Sequence, residues 1–179
     1  MSLDQTSLQP TITTERFALR PLRMSDQGLI AHYAGDKRVA CMTGAIPHPY
    51  PPGAAEAYIA RAQSPDRVED IWAIDGQLSG APELMGVIAL KRMDRNQSEI
   101  GYWVAPAFWN TGLASDAVRA LVEANPMHNA TMFAAVLQDN AASARVLVNC
   151  GFDYIGDAEQ FCIARQANIP TWTYLKQLG

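Results

Sequence analysis

"SEIGYWVAPAFWNTGLASDAVRALVEA" runs from Ser98 to Ala124. Its opening, "SEIGYWVA", mixes β-branched and aromatic residues in strand-like alternation. Its close carries Leu113, Ala117, Ala120, Leu121 and Ala124 at the spacing of one apolar helix face. The spacing predicts a helix from about Thr111 to Ala124. Between strand and helix lies a short polar loop with one glycine, "WNTG". The first four N–H groups of a helix have no partner inside it. They carry partial positive charge and attract an anion. Gly112 lets a bulky group approach the backbone closely. The plain alternative is that Thr111 caps the helix and Gly112 merely suits the loop. No GxxxxGK[ST] or GxGxxG occurs, so this is neither a P-loop nor a dinucleotide fingerprint.

Upstream, "RFALRPLR" (Arg16 to Arg23) alternates like a strand. "SDQGLIAHYAGD" reads as a helix capped by Ser25 or Asp26. "MTGAIPHPYPPG" (Met42 to Gly53) is a Pro/Gly loop, and "AAEAYIARAQS" is a second helix. "EDIWAID", "ELMGVIALKRM" and "SEIGYWVA" then form an antiparallel meander. Downstream, "ATMFAAVLQ" is a buried strand and "NAASARVLVNCG" a short helix with an Asn start and a Gly stop. "FDYIGDAEQFCIAR" and "TWTYLKQL" are two closing strands. The order β-α-α-β-β-β-α-β-α-β-β predicts an α/β (α+β) domain with a mixed, mostly antiparallel sheet and helices on both faces.

The 179 residues fit a single domain over 1–179, with a frayed start over residues 1–12. The chain is 49% hydrophobic, 18% charged, and carries a formal net charge of -4. A mildly acidic chain without a long Lys/Arg run is a poor binder of nucleic acid or membrane surfaces. The cluster "LKRMDR" (Leu90 to Arg95) reads as a solvated strand end. No leader-like segment or spanning run is visible, so a soluble cytoplasmic protein is expected. Cys41, Cys150 and Cys162 form no CxxC pair, so no metal is expected and buried structural cysteines fit best.

Three stretches and their order together resemble the GNAT superfamily of N-acetyltransferases, and within it the RimJ/RimL-type branch. They are "TERFALRPLRMSD", "SEIGYWVAPAFWNTGLASDAV", "NAASARVLVNCGF" and the order of the segments themselves. The resemblance covers nearly the whole chain from Thr13 onward. It implies a sheet of about seven strands flanked by about four helices, splayed between the family's strands four and five. It also implies acetyl-CoA as cosubstrate. The loop Asn110, Thr111, Gly112, Leu113, Ala114 and Ser115 then resembles the cradle for the CoA pyrophosphate. Asn110 stands where the branch usually has Gly, and Thr111 where it often has Gln or Lys. Asn tolerates left-handed backbone, which suits the Gly position. The pantetheine arm is expected between the strand at Trp103 to Ala105 and the strand at Ala134 to Leu137.

Acetyl transfer needs a base for the amine, a donor for the thioester oxygen and help for the leaving thiolate. The resemblance points to Glu99 as the base, with His32 and His48 as rivals. Each is also readable as a surface group, a lone loop His more often so than not. The Tyr that often protonates the thiolate is replaced by Leu147, leaving Ser143 as the substitute. Asn140 is a donor to the pantetheine amide or a simple helix cap. A backbone N–H near Val104 polarises the thioester oxygen. Tyr102 and Trp103 point to opposite faces, one to the core and one to the cleft. His48 and Tyr102 are expected at the acceptor site. Three readings follow: an acetyl-CoA-dependent N-acetyltransferase acting on a protein N-terminus or small amine, a non-catalytic acyl-CoA sensor on the same fold, and an α/β interaction module that binds no CoA. A monomer or a homodimer fits each.

Overall fold

The computed structural model describes residues 9–178. One sheet of eight strands runs in the order β1-β2-β3-β4-β5-β6-β8-β7. The strands are β1 (Ile12–Thr13), β2 (Ala18–Pro21), β3 (Glu69–Asp75), β4 (Gly86–Met93), β5 (Gln97–Val104), β6 (Thr131–Leu137), β7 (Asp153–Cys162) and β8 (Ala167–Gln177). The helices are α1 (Gln27–Ala34), α2 (Lys37–Ala40), α3 (Ala54–Gln63), α4 (Leu113–Ala124) and α5 (Ala141–Asn149). Every neighbouring pair is antiparallel except β5 and β6. No helix among the described residues is long and apolar enough to cross a membrane.

The two faces of the sheet bury separate cores. On one, Trp72, Ile88, Leu90, Ile100, Met132 and Val136 pack against Leu113, Ala117 and Leu121 of α4 and Leu147 of α5. On the other, Ile71, Ala73, Val87 and Ala89 pack against Ile30 of α1 and Ile59 of α3. Strand alternation produces this directly, because adjacent residues of β3 and β4 face opposite cores. The α4 stripe read from the sequence is the buried one, with Leu113, Ala117, Val118, Ala120 and Leu121 inside.

Two elements exceed the sequence expectation. β1 forms at the boundary of the segment expected to fray, where the fully buried Trp72 indole donates from Nε1 to the Pro10 carbonyl at 2.8 Å. Gln9 donates to the Ile71 carbonyl at 2.8 Å. Residues 1–8 of the expected frayed start lie outside the described residues. The four-residue α2 is the second, and the Asp36 side chain caps it. The first long helix is also reached differently. Asp26 takes the cap position of α1, one of the two residues expected there, but its side chain makes no cap bond. It is fully buried and takes a bidentate pair from Arg20 at 2.9 and 2.8 Å, while the Arg20 Nε donates to Asp75 at 2.8 Å. The remaining Arg20 donor capacity goes to the Glu83 carbonyl at 2.9 Å and the Pro21 carbonyl at 3.3 Å. A buried charge is tolerable only when paired and hydrogen-bonded in this way.

Candidate active site

The parallel pairing of β5 with β6 covers only Gln97 with Thr131, Ser98 with Met132, and Glu99 with Phe133. Beyond Glu99 the strands part. Ladder alternation tells which backbone groups the parting frees. Ala105 donates to Met85, so every second residue back along β5 (103, 101, 99) bonds to β4. Tyr102 and Val104 therefore turn their N–H groups away from β4, toward the gap. On β6, Gln138 donates to Pro170, so the even-numbered residues bond to β8. Ala135 and Leu137 then turn their N–H groups toward the gap from the other side. The Val104 carbonyl is taken by the Trp109 indole at 2.7 Å, and the Leu137 carbonyl by the Asn140 N–H at 2.8 Å.

A cavity of about 790 Å³ fills this parting and extends to both faces of the sheet. Glu99 sits at its apex, as the last residue of β5 paired with β6. Tyr102 and Trp103 both line it. They do point to opposite faces, Tyr102 packing with the α4/α5 core and Trp103 with the α1/α3 core. The expected division into one core and one cleft residue fails because the gap opens the sheet on both sides. Gly101 helps to keep it open: a Cβ there would meet nothing within 4 Å.

On the α5 side the cavity is lined by Tyr102, Asn140 and Ser143. Asn140 is the α5 cap, its Oδ1 accepting from the Ser143 N–H at 3.3 Å. The cap uses the oxygen and leaves the amide N–H groups of Asn140 without a partner among the described residues, so its two expected roles are compatible. The Tyr102 hydroxyl lies 2.7 Å from the Ser143 hydroxyl and donates to the Ser143 carbonyl at 3.2 Å. Burial pushes the Tyr102 phenol up to about 12, against a smaller opposing pull from Ser143. Tyr102 was expected at the acceptor; its hydroxyl is engaged by α5 instead.

On the α1/α3 side stand Tyr50, Tyr58, Glu69 and Glu99. Glu69 was not singled out in the sequence. Register brings it there: Glu69 pairs with Lys91 and Lys91 with Glu99, so all three share one face across β3, β4 and β5. Burial raises the Glu69 carboxyl above its ordinary range, with Lys91 opposing and Glu99 adding to the shift. His48 is not in this cavity. It lines a second pocket with Gln27, Ala31 and Gly35, where its Nδ1 is buried without a partner among the described residues. His32 lies on α1 beside Tyr33, also outside the cavity lining.

The polar loop follows from the end of β5. The helix begins at Leu113, not Thr111, and its cap is Gly112, in left-handed backbone with φ 78 and no side-chain bond. The Thr111 hydroxyl is spent on the Phe108 carbonyl. Asn110 also takes left-handed backbone, with φ 61. Such paired left-handed turns aim successive N–H groups inward. The first loop bond onto the helix start is from Asp116 to Gly112 at 3.0 Å. The N–H groups of Asn110, Thr111, Gly112, Leu113, Ala114 and Ser115 have no hydrogen-bond partner among the described residues. The Leu113 side chain is core, so only its backbone can face a ligand. Arg16, which sequence reasoning passed over, fixes the loop by donating to the Thr111 carbonyl at 3.0 Å and to Asp116 at 3.1 Å.

All three cysteines are free, with Cys150 and Cys162 buried. Burial raises the Cys150 thiol, which suits packing and not nucleophilic attack.

A mixed sheet parted between two parallel strands, with a helix start bare of partners just beyond the gap, is the architecture of an acyltransferase. The match to the acetyltransferase (GNAT) domain covers residues 16–153, and the chain belongs to that family. No curated protein sequence matches the chain. Among solved structures it is similar to the microcin C7 self-immunity acetyltransferase MccE in complex with acetyl-CoA and AMP, over 96% of this chain and 98% of that one, at TM-score 0.80 and 15% identity. RimJ of Mycobacterium smegmatis, in complex with CoA-disulfide, matches over 94% of this chain and 87% of its own, at TM-score 0.80 and 18% identity. Spermidine N-acetyltransferase from Vibrio cholerae, in complex with CoA and spermine, matches over 90% and 96%, at TM-score 0.73 and 16% identity. At these identities the likeness is one of fold.

Proposed function

We propose that this protein transfers an acetyl group from acetyl-CoA to a primary amine, by direct attack in a ternary complex. The observation that carries the reading is the run of six unpartnered N–H groups from Asn110 to Ser115, set beyond a gap whose strand edges are themselves unpaired. Such a run suits a pyrophosphate. The free edges of Tyr102, Val104, Ala135 and Leu137 suit the amides of an extended pantetheine arm, in the manner of an added strand. Asn140 donates its amide to that arm. The Val104 N–H is the donor for the thioester oxygen, whose charge grows during attack. Glu99, on the other side of the parting, takes the proton from the amine, directly or through a water. Ser143 attends the leaving sulfur. The acceptor is a protein N-terminal amine or a small amine, reached from the side of Tyr50 and Tyr58.

The departures at Asn110 and Thr111 favour a cofactor-binding sensor only if they spoil the cradle. Asn110 holds the left-handed backbone a glycine would, so the donors keep their direction. The test is thermal unfolding with acetyl-CoA, with ADP as control, followed by thiol release across a panel of amines. Ligand at a hundredfold its dissociation constant adds about 2.7 kcal/mol, or roughly 5–10 °C for a chain of this size. No shift at millimolar acetyl-CoA would remove the enzyme reading. A shift without turnover on any amine would leave the sensor.

A further inference from the structure

Ser143 lies in the first turn of α5, ahead of any helical carbonyl that its hydroxyl could turn back to. Its backbone N–H is held by the Asn140 cap at 3.3 Å, and its hydroxyl meets Tyr102 of β5 at 2.7 Å, across 41 positions of sequence. Tyr102 has two acceptors within reach, the Ser143 hydroxyl and the Ser143 carbonyl at 3.2 Å. These are two positions of one phenolic proton, exchanged by rotation about the C–O bond with no movement of heavy atoms.

We propose that Tyr102 is a positioning residue for Ser143: by donating to the Ser143 hydroxyl it turns that hydroxyl's own proton toward the departing sulfur. The inference rests on the acetyltransferase reading above. When the phenol donates to the Ser143 carbonyl, the Ser143 proton is free to point at Tyr102, away from the cavity. When the phenol swings to the hydroxyl oxygen, that oxygen becomes an acceptor from Tyr102 and its proton must turn elsewhere. The remaining direction is the cavity that both residues line. Hydrogen bonds in such a chain strengthen one another.

The chemistry needs no further reactant. The amine nitrogen attacks the thioester carbon and loses its proton to Glu99. The carbon–sulfur bond breaks, and its electron pair stays on sulfur as a thiolate. Tyr102 and Ser143 supply aligned donors to that charge and transfer no proton themselves. The buried phenol is suited to this because it stays protonated through the neutral range. Cys150, just past the end of α5, is the titratable neighbour of Tyr102, and burial favours its neutral thiol. The phenol thus supports the leaving sulfur from a strand and through a serine, as a hydrogen-bond donor, which the Leu147 side chain in α5 is not.

The experiment compares wild type, Tyr102→Phe, Ser143→Ala and the double variant. One orienting hydrogen bond is worth about 2- to 10-fold, and a donor to a charged sulfur about 10- to 100-fold. Tyr102→Phe is therefore expected to lower kcat by the smaller factor with KM for acetyl-CoA unchanged. The double variant should be no worse than Ser143→Ala alone, because the two act in series. A readout independent of turnover is the ultraviolet thiolate absorbance of bound CoA, taken as a difference from protein alone across pH. The bound thiol should ionise at higher pH in Tyr102→Phe than in wild type. Additive losses in the double variant, or the same thiol titration in both proteins, would overturn the inference. If wild type turns over no amine yet binds CoA, the enzyme reading fails while the thiol titration still decides the role of Tyr102.

Discussion

Replacing Gly112 with Asp or with Asn separates charge from shape at the start of α4. Gly112 has φ 78, and a Cβ there would meet only the Arg16 guanidinium, at 3.9 Å. Space is therefore not the obstacle. Both variants pay the same left-handed backbone cost, about 1 kcal/mol, since Asp and Asn adopt that region more readily than other residues. They are nearly equal in size, so the difference between them is one negative charge. At about 6 Å from a bound phosphate charge, Coulomb's law gives about 0.7 kcal/mol in water-like surroundings and about 2.8 kcal/mol at an effective dielectric near 20. Acetyl-CoA affinity should then be about 3- to 100-fold weaker for Gly112→Asp than for Gly112→Asn. The gap should narrow as salt is added. Calorimetric titration of acetyl-CoA into the two variants, at low and high salt, measures it. Equal affinities would refute the argument that the unpartnered N–H run from Asn110 to Ser115 holds an anion.

Three further outcomes follow from the geometry. Glu99→Gln should lower kcat by about 10²–10⁴ with acetyl-CoA affinity unchanged; full retained activity would remove Glu99 from the mechanism. Glu69→Gln should raise the melting temperature at neutral pH. Because burial raises the folded-state pKa of Glu69, its contribution to stability is present below the unfolded value of about 4.3 and is lost as pH rises through the folded value. The gain should shrink on acidification, and a pH-independent effect would contradict the assignment. Arg20→Met should cost about 3–5 kcal/mol in urea unfolding, because it leaves Asp26 and Asp75 buried without their partner. A loss below about 1 kcal/mol, the range of exposed pairs, would show that the network is not buried in solution.

The local elements were legible because their signals lie within a few residues. The alternation of β4 and β5, the apolar stripe of α4, the Asn140 cap and the glycine before Leu113 need no knowledge of the rest of the chain. The same holds for Asn110 as a residue able to take left-handed backbone. A resemblance in three stretches and their order then supplied the sheet and its parting, which no single segment encodes.

What the sequence left undecided depends on pairs far apart in the chain. β1 is too short to announce itself, and it exists because the Trp72 indole fixes Pro10 across 62 positions. The loop before α4 is held by Arg16, 95 positions away from Thr111. Glu69 joins Glu99 only through the register of β3 on β4 and β4 on β5, and a one-residue slip would send it to the opposite face. His48 was readable as an acceptor residue because it lies within the Pro-rich loop Met42–Gly53, yet the path of that loop directs it to a different pocket. Tyr102 looked like either core or cleft. The end of β5–β6 pairing at Glu99 makes both it and Trp103 line the cavity, and the packing of α5 brings Ser143 to its hydroxyl. Sequence by itself determined which segments are strand, helix and loop, since those follow from neighbouring side chains and backbone freedom. Tertiary structure alone decided which donors and carboxylates share the cavity, because that follows from register and packing between distant segments.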